Sequence, residues 1–116
     1  IESMPVKSLI TFPKTGLQHN SHNLNIRGHA WAGDKQVKEV RISIDYGATW
    51  IKANLSNPVN KYAWQNWGLN LNFPSKGYFE IWSRAIDENN ISQPFDISWN
   101  PKGYLNNSVH RIYINI

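Results

Sequence analysis

Hydrophobic and polar residues alternate along this chain with a period of two. In the first clear stretch, Leu24, Ile26 and Ala30 alternate with Asn25 and Arg27. Such a pattern, rich in β-branched and aromatic residues, predicts strands with one buried side and one solvent-facing side. No window of about a dozen residues shows the 3.6-residue period of an amphipathic helix. The four clearest alternating segments are residues 24–30, 39–45, 79–86 and 111–116.

Clusters of Gly, Pro, Asn and Asp separate these segments, and such residues favour turns. About seven short strands at spacings near ten residues are typical of β-sandwiches. The pattern therefore predicts an all-β fold, an immunoglobulin-like antiparallel β-sandwich of about seven strands. With 116 residues, the chain 1–116 has the length of a single domain. The turn clusters lie at residues 13–16, 32–35, 45–47, 57–60, 74–77 and 87–90.

The composition excludes several classes of function. The chain has no cysteine, so it contains no disulfide, no thiolate metal ligand and no cysteine nucleophile. Its net charge is +4, but the twelve Lys and Arg residues are scattered, whereas nucleic-acid binding usually needs a concentrated basic patch. No apolar stretch reaches the ~20 residues of a membrane span. We therefore expect neither nucleic acid nor a membrane as a partner.

One motif, S-x-D-x-G-x-T-W, is formed by Ser43, Asp45, Gly47, Thr49 and Trp50. Two interpretations are open: a blade of a sialidase-like propeller, in which such boxes recur, or a structural turn. The single copy favours the structural turn. In a hairpin the carboxylate bonds backbone amides across the turn, the glycine supplies a positive φ, and the tryptophan folds back on the apolar face. The carboxylate is then not a catalytic acid.

Other candidate chemistry is weak. His19 and His22 have an H-x-x-H spacing and His29 is near, but no third ligand follows at a metal-binding distance in sequence. Asp87 and Glu88 are adjacent carboxylates within a turn, where they are expected to be solvated. No serine has the glycine pattern of a nucleophile elbow. We therefore predict no catalytic residue, no metal ligand and no cofactor ligand in this chain alone.

Lys102 is the cation with the most notable surroundings. It lies between Pro101 and Gly103, in a segment able to project one ammonium group toward an anion. The residue type by itself favours the plainer alternative, a solvated lysine.

The order of several motifs resembles the C-terminal dimerisation domain of the sulfite oxidase family of molybdenum oxidoreductases. The resemblance extends from about Pro5 to Ile116. It is carried by the ordered set of residues 29–33, 43–50, 84–87, 93–94, 99–107 and 110–112, together with Trp64 and Trp67.

This resemblance implies an immunoglobulin-like domain that follows the molybdopterin-binding catalytic domain of the same polypeptide and carries much of a homodimer contact. In that family a pterin dithiolene and one cysteine thiolate hold the molybdenum in the preceding domain. Because this chain has no cysteine, we expect it to bind no cofactor alone, and we expect molybdenum-molybdopterin in the parent enzyme. No signal peptide is visible, and a periplasmic location is favoured if the source is bacterial.

The resemblance also bears on individual residues. Family members carry a W-N-x-R-G loop that lends an arginine to an oxyanion pocket, and Lys102 occupies that position here. A lysine is a point charge without the bidentate fork of arginine, so we expect an anionic substrate but not necessarily sulfite. Arg84 also matches a family position, and we expect it to pair with Asp87 or another turn carboxylate. Trp82 shares a strand side with Glu80 and is expected on the dimer surface.

Two alternative functions belong to other classes of protein. The tryptophan content and the lack of a catalytic set are also typical of a stand-alone carbohydrate- or ligand-binding β-sandwich, in which exposed aromatic rings stack on sugars. An adhesion-type immunoglobulin-like module is the second alternative.

Overall fold

The structure, a computed structural model, describes residues 6–32, 36–56, 64–87 and 109–116. Every regular element within these ranges is a β-strand. These ranges therefore contain no helix that is long and apolar enough to cross a membrane. The strands are β1 (Lys7–Phe12), β2 (Leu17–Gln18), β3 (Asn23–Trp31), β4 (Val37–Ser43), β5 (Ile51–Lys52), β6 (Asn54–Leu55), β7 (Gln65–Asn72), β8 (Tyr78–Asp87) and β9 (His110–Asn115).

The strands form two sheets. One sheet has four strands in the order β1-β3-β7-β6, and the other has five in the order β2-β9-β8-β4-β5. The predicted all-β sandwich is confirmed. The described part contains nine strands where about seven were expected, because β2, β5 and β6 have two residues each and are too short to show alternation. One of these, β2, pairs with β9 in parallel, so the sandwich is not antiparallel throughout.

The core lies between the sheets and is built from the predicted inward-facing side chains. Ile26, Val40, Ile42, Ile81 and Ile114 are completely buried. Their alternation with polar neighbours reflects the two-residue period of a strand that covers the core on one side.

A close approach at Gly28 brings β1 and the Trp67 indole against β3. A Cβ at Gly28 would lie 2.0 Å from the carbonyl oxygen of Leu9 and 2.3 Å from Cζ2 of Trp67. Any larger residue would displace backbone as well as side chain. The indole Nε1 of Trp67 donates to the carbonyl oxygen of His29, at 3.2 Å, and this bond holds the ring over the glycine.

Two polar contacts join β1 to the opposite sheet. The hydroxyls of Ser8 and Ser83 lie 2.9 Å apart in the buried interior. The amide of Ile10 donates to Nδ1 of His110, also at 2.9 Å. Burial lowers the pKa of His110, which favours the neutral ring that accepts this bond.

The registers define two ends of the sandwich. Val37 pairs with Asp87, Lys7 pairs with Trp31, and Ala30 pairs with Gln65, so these positions lie at one end, called the Asp87 end here. The turn after β4 and the start of β8 lie at the opposite end. The strands that bound stretches 33–35, 57–63 and 88–108 all finish or begin at the Asp87 end.

Candidate functional site

The S-x-D-x-G-x-T-W motif forms a turn tied by side-chain hydrogen bonds. Oδ1 of Asp45 accepts from the Thr49 amide at 2.9 Å and from the Ser43 hydroxyl at 2.7 Å, while Oδ2 accepts from the Thr49 hydroxyl. Oγ of Ser43 in turn accepts from the amide of Gly47 at 2.9 Å. These donors lower the pKa of Asp45 to about 2, with the Thr49 hydroxyl as the largest cause.

The turn places aromatic rings on the outer side of the five-stranded sheet. Gly47 has a φ of 86°, and a Cβ there would lie 3.0 Å from Cζ3 of Trp82. The ring of Tyr46 meets Trp82 edge to face, at 6.1 Å between centroids. Trp50 lies 6.5 Å from the same ring. The sequence-based expectation that Trp50 packs on the apolar inner side is therefore wrong, because Trp82 projects from β8 opposite to the core residue Ile81.

The outer side of this sheet carries a group of aromatic and charged residues around Trp82. Tyr78 and Tyr113 stack with their centroids 5.9 Å apart. The guanidinium of Arg111 lies 4.3 Å from the centroid of the Trp82 ring. We call this group the aromatic face; it consists of Tyr46, Tyr78, Glu80, Trp82, Arg111 and Tyr113.

Glu80 is the acceptor at the centre of the aromatic face. Its Oε1 accepts from Nε1 of Trp82 at 2.9 Å, and its Oε2 accepts from the hydroxyl of Tyr78 at 3.0 Å. The bond to the carboxylate is the largest cause of a raised pKa at Tyr78, because it stabilises the neutral phenol. The carboxylate therefore orients two aromatic side chains.

Arg84 adjoins the aromatic face on β8. Its guanidinium lies 5.0 Å from the centroid of Trp50, and its buried Nε has no hydrogen-bond partner among the described residues. The expected ion pair with Asp87 or another turn carboxylate stays a prediction, because the adjacent carboxylate Glu88 lies outside the described residues. The spacing of three residues places Arg84 and Asp87 on opposite sides of the strand.

The exposed rings of the aromatic face were not singled out from the sequence. Tyr46, Tyr78 and Tyr113 have 56%, 52% and 45% of their surfaces exposed. Tyr, Trp and Arg are the residue types enriched at protein interfaces. The available signal was the position of Tyr78 and Tyr113 on the polar side of alternating segments. The neighbour relationship with Tyr46 required the fold.

The histidines do not gather at a metal site. Nε2 of His19 donates to the carbonyl oxygen of Asn23 at 2.9 Å, and Nδ1 of His22 donates to that of Phe73 at 3.0 Å. Within residues 6–32, 36–56, 64–87 and 109–116, no three His, Asp or Glu side chains are grouped for metal binding. Lys102 and Glu88 lie outside the described residues.

Comparisons with known proteins point to the same family. The family model "Mo-co oxidoreductase dimerisation domain" matches residues 1–116. The mitochondrial sulfite oxidase of Mus musculus is 32% identical over 124 residues, covering 100% of this chain and 23% of the mouse protein. The NADH nitrate reductase of Volvox carteri is 34% identical over 98 residues, covering 78% of this chain and 11% of that protein.

A solved structure agrees with both matches. The sulfane dehydrogenase SoxCD from Paracoccus pantotrophus superposes with a TM-score of 0.80 and 26% identity, over 95% of this chain and 30% of the SoxCD chain. The chain thus spans less than a third of each of these relatives. None of these matches supports the carbohydrate-binding alternative. The chain belongs to the Mo-co oxidoreductase dimerisation domain family, the dimerisation domain of sulfite-oxidase-like enzymes.

Proposed function

We propose that residues 1–116 form one domain that joins two catalytic subunits of a molybdenum-dependent oxidoreductase, by pairing its aromatic face with that of a second copy. The observation that carries this proposal is the set of exposed tyrosines around Trp82. Large rings with few rotatable bonds gain much contact area for little loss of conformational entropy.

An unsatisfied hydrogen-bond donor beside the aromatic face also favours a protein partner. The buried Nε of Arg84 lacks an acceptor among the described residues, and a buried unsatisfied donor costs free energy. A second copy across a two-fold axis presents the same surface in reverse, so a residue away from the axis meets a different residue of its partner. Glu80 already satisfies its two aromatic donors within one copy.

The turn around Asp45 positions part of the aromatic face. All three of its carboxylate contacts are internal to the turn, which leaves the group in a positioning role rather than a catalytic one. In the proposal, Ser43, Asp45, Gly47, Thr49 and Trp50 are structural: they hold Tyr46 against Trp82 and so shape the pairing surface.

The molybdenum cofactor belongs to another domain in this proposal. The chain offers no thiol, and its described carboxylates and imidazoles do not group for metal binding, so its residues do not fit the cofactor. The molybdopterin-binding catalytic domain of the same polypeptide supplies the redox chemistry. This chain supplies the dimer contact.

We propose that Lys102 contributes a positive charge to the substrate pocket. Stretch 88–108 follows Asp87 and precedes Val109, and both of these residues lie at the Asp87 end. The aromatic face extends toward the opposite end, where Tyr46 and Tyr78 lie. The family resemblance alone supports a contact between Lys102 and the catalytic domain, where its ammonium group would favour an anion by charge.

The natural gene product that contains this chain provides the test. Its subunit mass, its native mass and its molybdenum content are measured together on protein captured with an antibody to residues 1–116. We expect a subunit several times longer than this chain, a native mass of two subunits, and about one molybdenum per subunit. A free 13.4 kDa chain without molybdenum would contradict the proposal.

A further inference from the structure

A second surface, at the Asp87 end of the four-stranded sheet, has the properties of a domain contact. We propose that His29, Trp31 and Trp64, called the tryptophan patch here, dock against the catalytic domain of the same polypeptide. The inference rests on the proposed function in one respect, the presence of that catalytic domain. It concerns a different side of the sandwich from the aromatic face.

The tryptophan patch is an ordered stack with one open side. Trp64 stacks on Trp31 with centroids 5.9 Å apart and an angle of 25° between the rings. The same Trp64 ring meets His29 edge to face at 5.7 Å and 73°. Trp64 nevertheless leaves 46% of its surface exposed. Two aligned indoles with an open face provide a large apolar contact area for a partner.

His29 lies beside the stack and leaves Trp64 as its open member. Its Nδ1 is already covered within this chain and has no hydrogen-bond partner among the described residues. The open side of Trp64 is therefore the surface left for an occupant, which is expected to cover it with apolar side chains.

The path of the chain identifies the occupant. Lys7 pairs with Trp31 and Leu9 pairs with His29, so β1 enters the sheet directly beside the patch. Directly opposed residues on neighbouring strands have Cβ atoms about 5 Å apart. The chain before residue 6 therefore joins the sandwich within a few ångströms of Trp31, so a domain attached there lies beside the tryptophan patch.

The described strand ends favour the same occupant. The start of β1 and the residue Trp64 lie at the Asp87 end, beside the end of β3. A catalytic domain joined to the chain before residue 6 is therefore joined at this end. The chain spans 23% of the mouse relative, so most of such a subunit is available to cover the patch. The aromatic face stays free for the second copy.

The test uses the full-length natural protein with Trp64→Arg, which places a charge on the open side of the stack. Limited proteolysis of the segment before residue 6 is measured together with sedimentation velocity. We expect at least tenfold faster cleavage of that segment while the protein stays dimeric. The control variant Asn70→Asp changes an exposed position on the same sheet and is expected to leave cleavage unchanged. Cleavage of Trp64→Arg within twofold of wild type would overturn the proposal.

A second measurement needs no variant, and it tests the docking of the tryptophan patch if Trp64→Arg does not fold. Hydroxyl-radical footprinting of the wild-type full-length protein compares Trp64 with Phe12, each normalised to its intrinsic reactivity. Phe12 is 37% exposed and lies away from the patch. We expect Trp64 to be protected at least tenfold more than Phe12. Equal labelling would overturn the docking proposal and leave the dimer proposal standing.

Discussion

The guanidinium of Arg111 lies 4.3 Å from the centroid of the Trp82 ring, across the β8–β9 pair. Tyr46, from the turn after β4, meets the same indole edge to face. Trp82 is only 8% exposed although it projects away from the core. A cation over an indole face is attracted by the ring quadrupole, and this contact fixes the centre of the aromatic face.

Gly28→Ala is expected to destabilise the domain severely. The new Cβ would lie 2.0 Å from the carbonyl oxygen of Leu9, so backbone must move. We expect a loss of at least about 3 kcal/mol in the free energy of unfolding, measured by urea denaturation. Gly68→Ala is the matched control on the neighbouring strand, because its Cβ would meet nothing closer than 3.5 Å. Equal losses in the two variants would contradict the packing argument.

Asp45→Asn is expected to weaken the turn by about 1 kcal/mol near neutral pH, because an amide nitrogen cannot accept from the Thr49 hydroxyl. The pKa of Asp45 falls from 3.8 to about 2 on folding. Its stabilising contribution is therefore complete above 3.8 and disappears as the pH falls toward 2. Urea unfolding at several pH values should show wild type and variant converging near pH 2. A constant difference down to that pH would exclude this role for the carboxylate.

The alternation of residue types predicted the inward sides of β3, β4, β8 and β9, because burial on one side of a sheet leaves a two-residue period. It did not predict that Trp82 is buried on the outer side, since that burial comes from a turn folded over the sheet. Trp50 was misplaced for the same reason. The tryptophan patch depends on the register between β3 and the start of β7, which sequence alone does not give.

His110→Asn is expected to remove a pH dependence from the contact between β1 and β9. Burial lowers the pKa of His110 below its ordinary value of 6.5, so the unfolded chain takes up a proton first. Stability is therefore complete above 6.5 and falls as the pH drops below it, because the unfolded chain binds a proton that the folded ring, which accepts from the Ile10 amide, does not. An asparagine oxygen keeps an acceptor without titrating. Thermal unfolding between about pH 7.5 and pH 5 checks this, and a variant that keeps the wild-type slope would contradict the role of His110.

Lys102→Ala in the full-length enzyme is expected to raise KM for its anionic substrate by about tenfold, the effect of losing one charge-assisted contact. Lys102→Arg should keep the charge and most of the affinity. Steady-state kinetics at low ionic strength measures both variants. Unchanged KM and kcat in the alanine variant would remove Lys102 from the substrate pocket.

Pairing through the aromatic face is the central claim, and sedimentation velocity of the full-length protein with Tyr113→Asp tests it most directly. Tyr113 is 45% exposed and lies opposite Glu80, so Tyr113→Asp removes an exposed ring from the proposed pairing surface and places a second negative charge beside Glu80. We predict a dimer dissociation constant at least tenfold higher than that of wild type, while Asn70→Asp stays dimeric. A fully dimeric Tyr113→Asp protein with wild-type affinity would contradict the account.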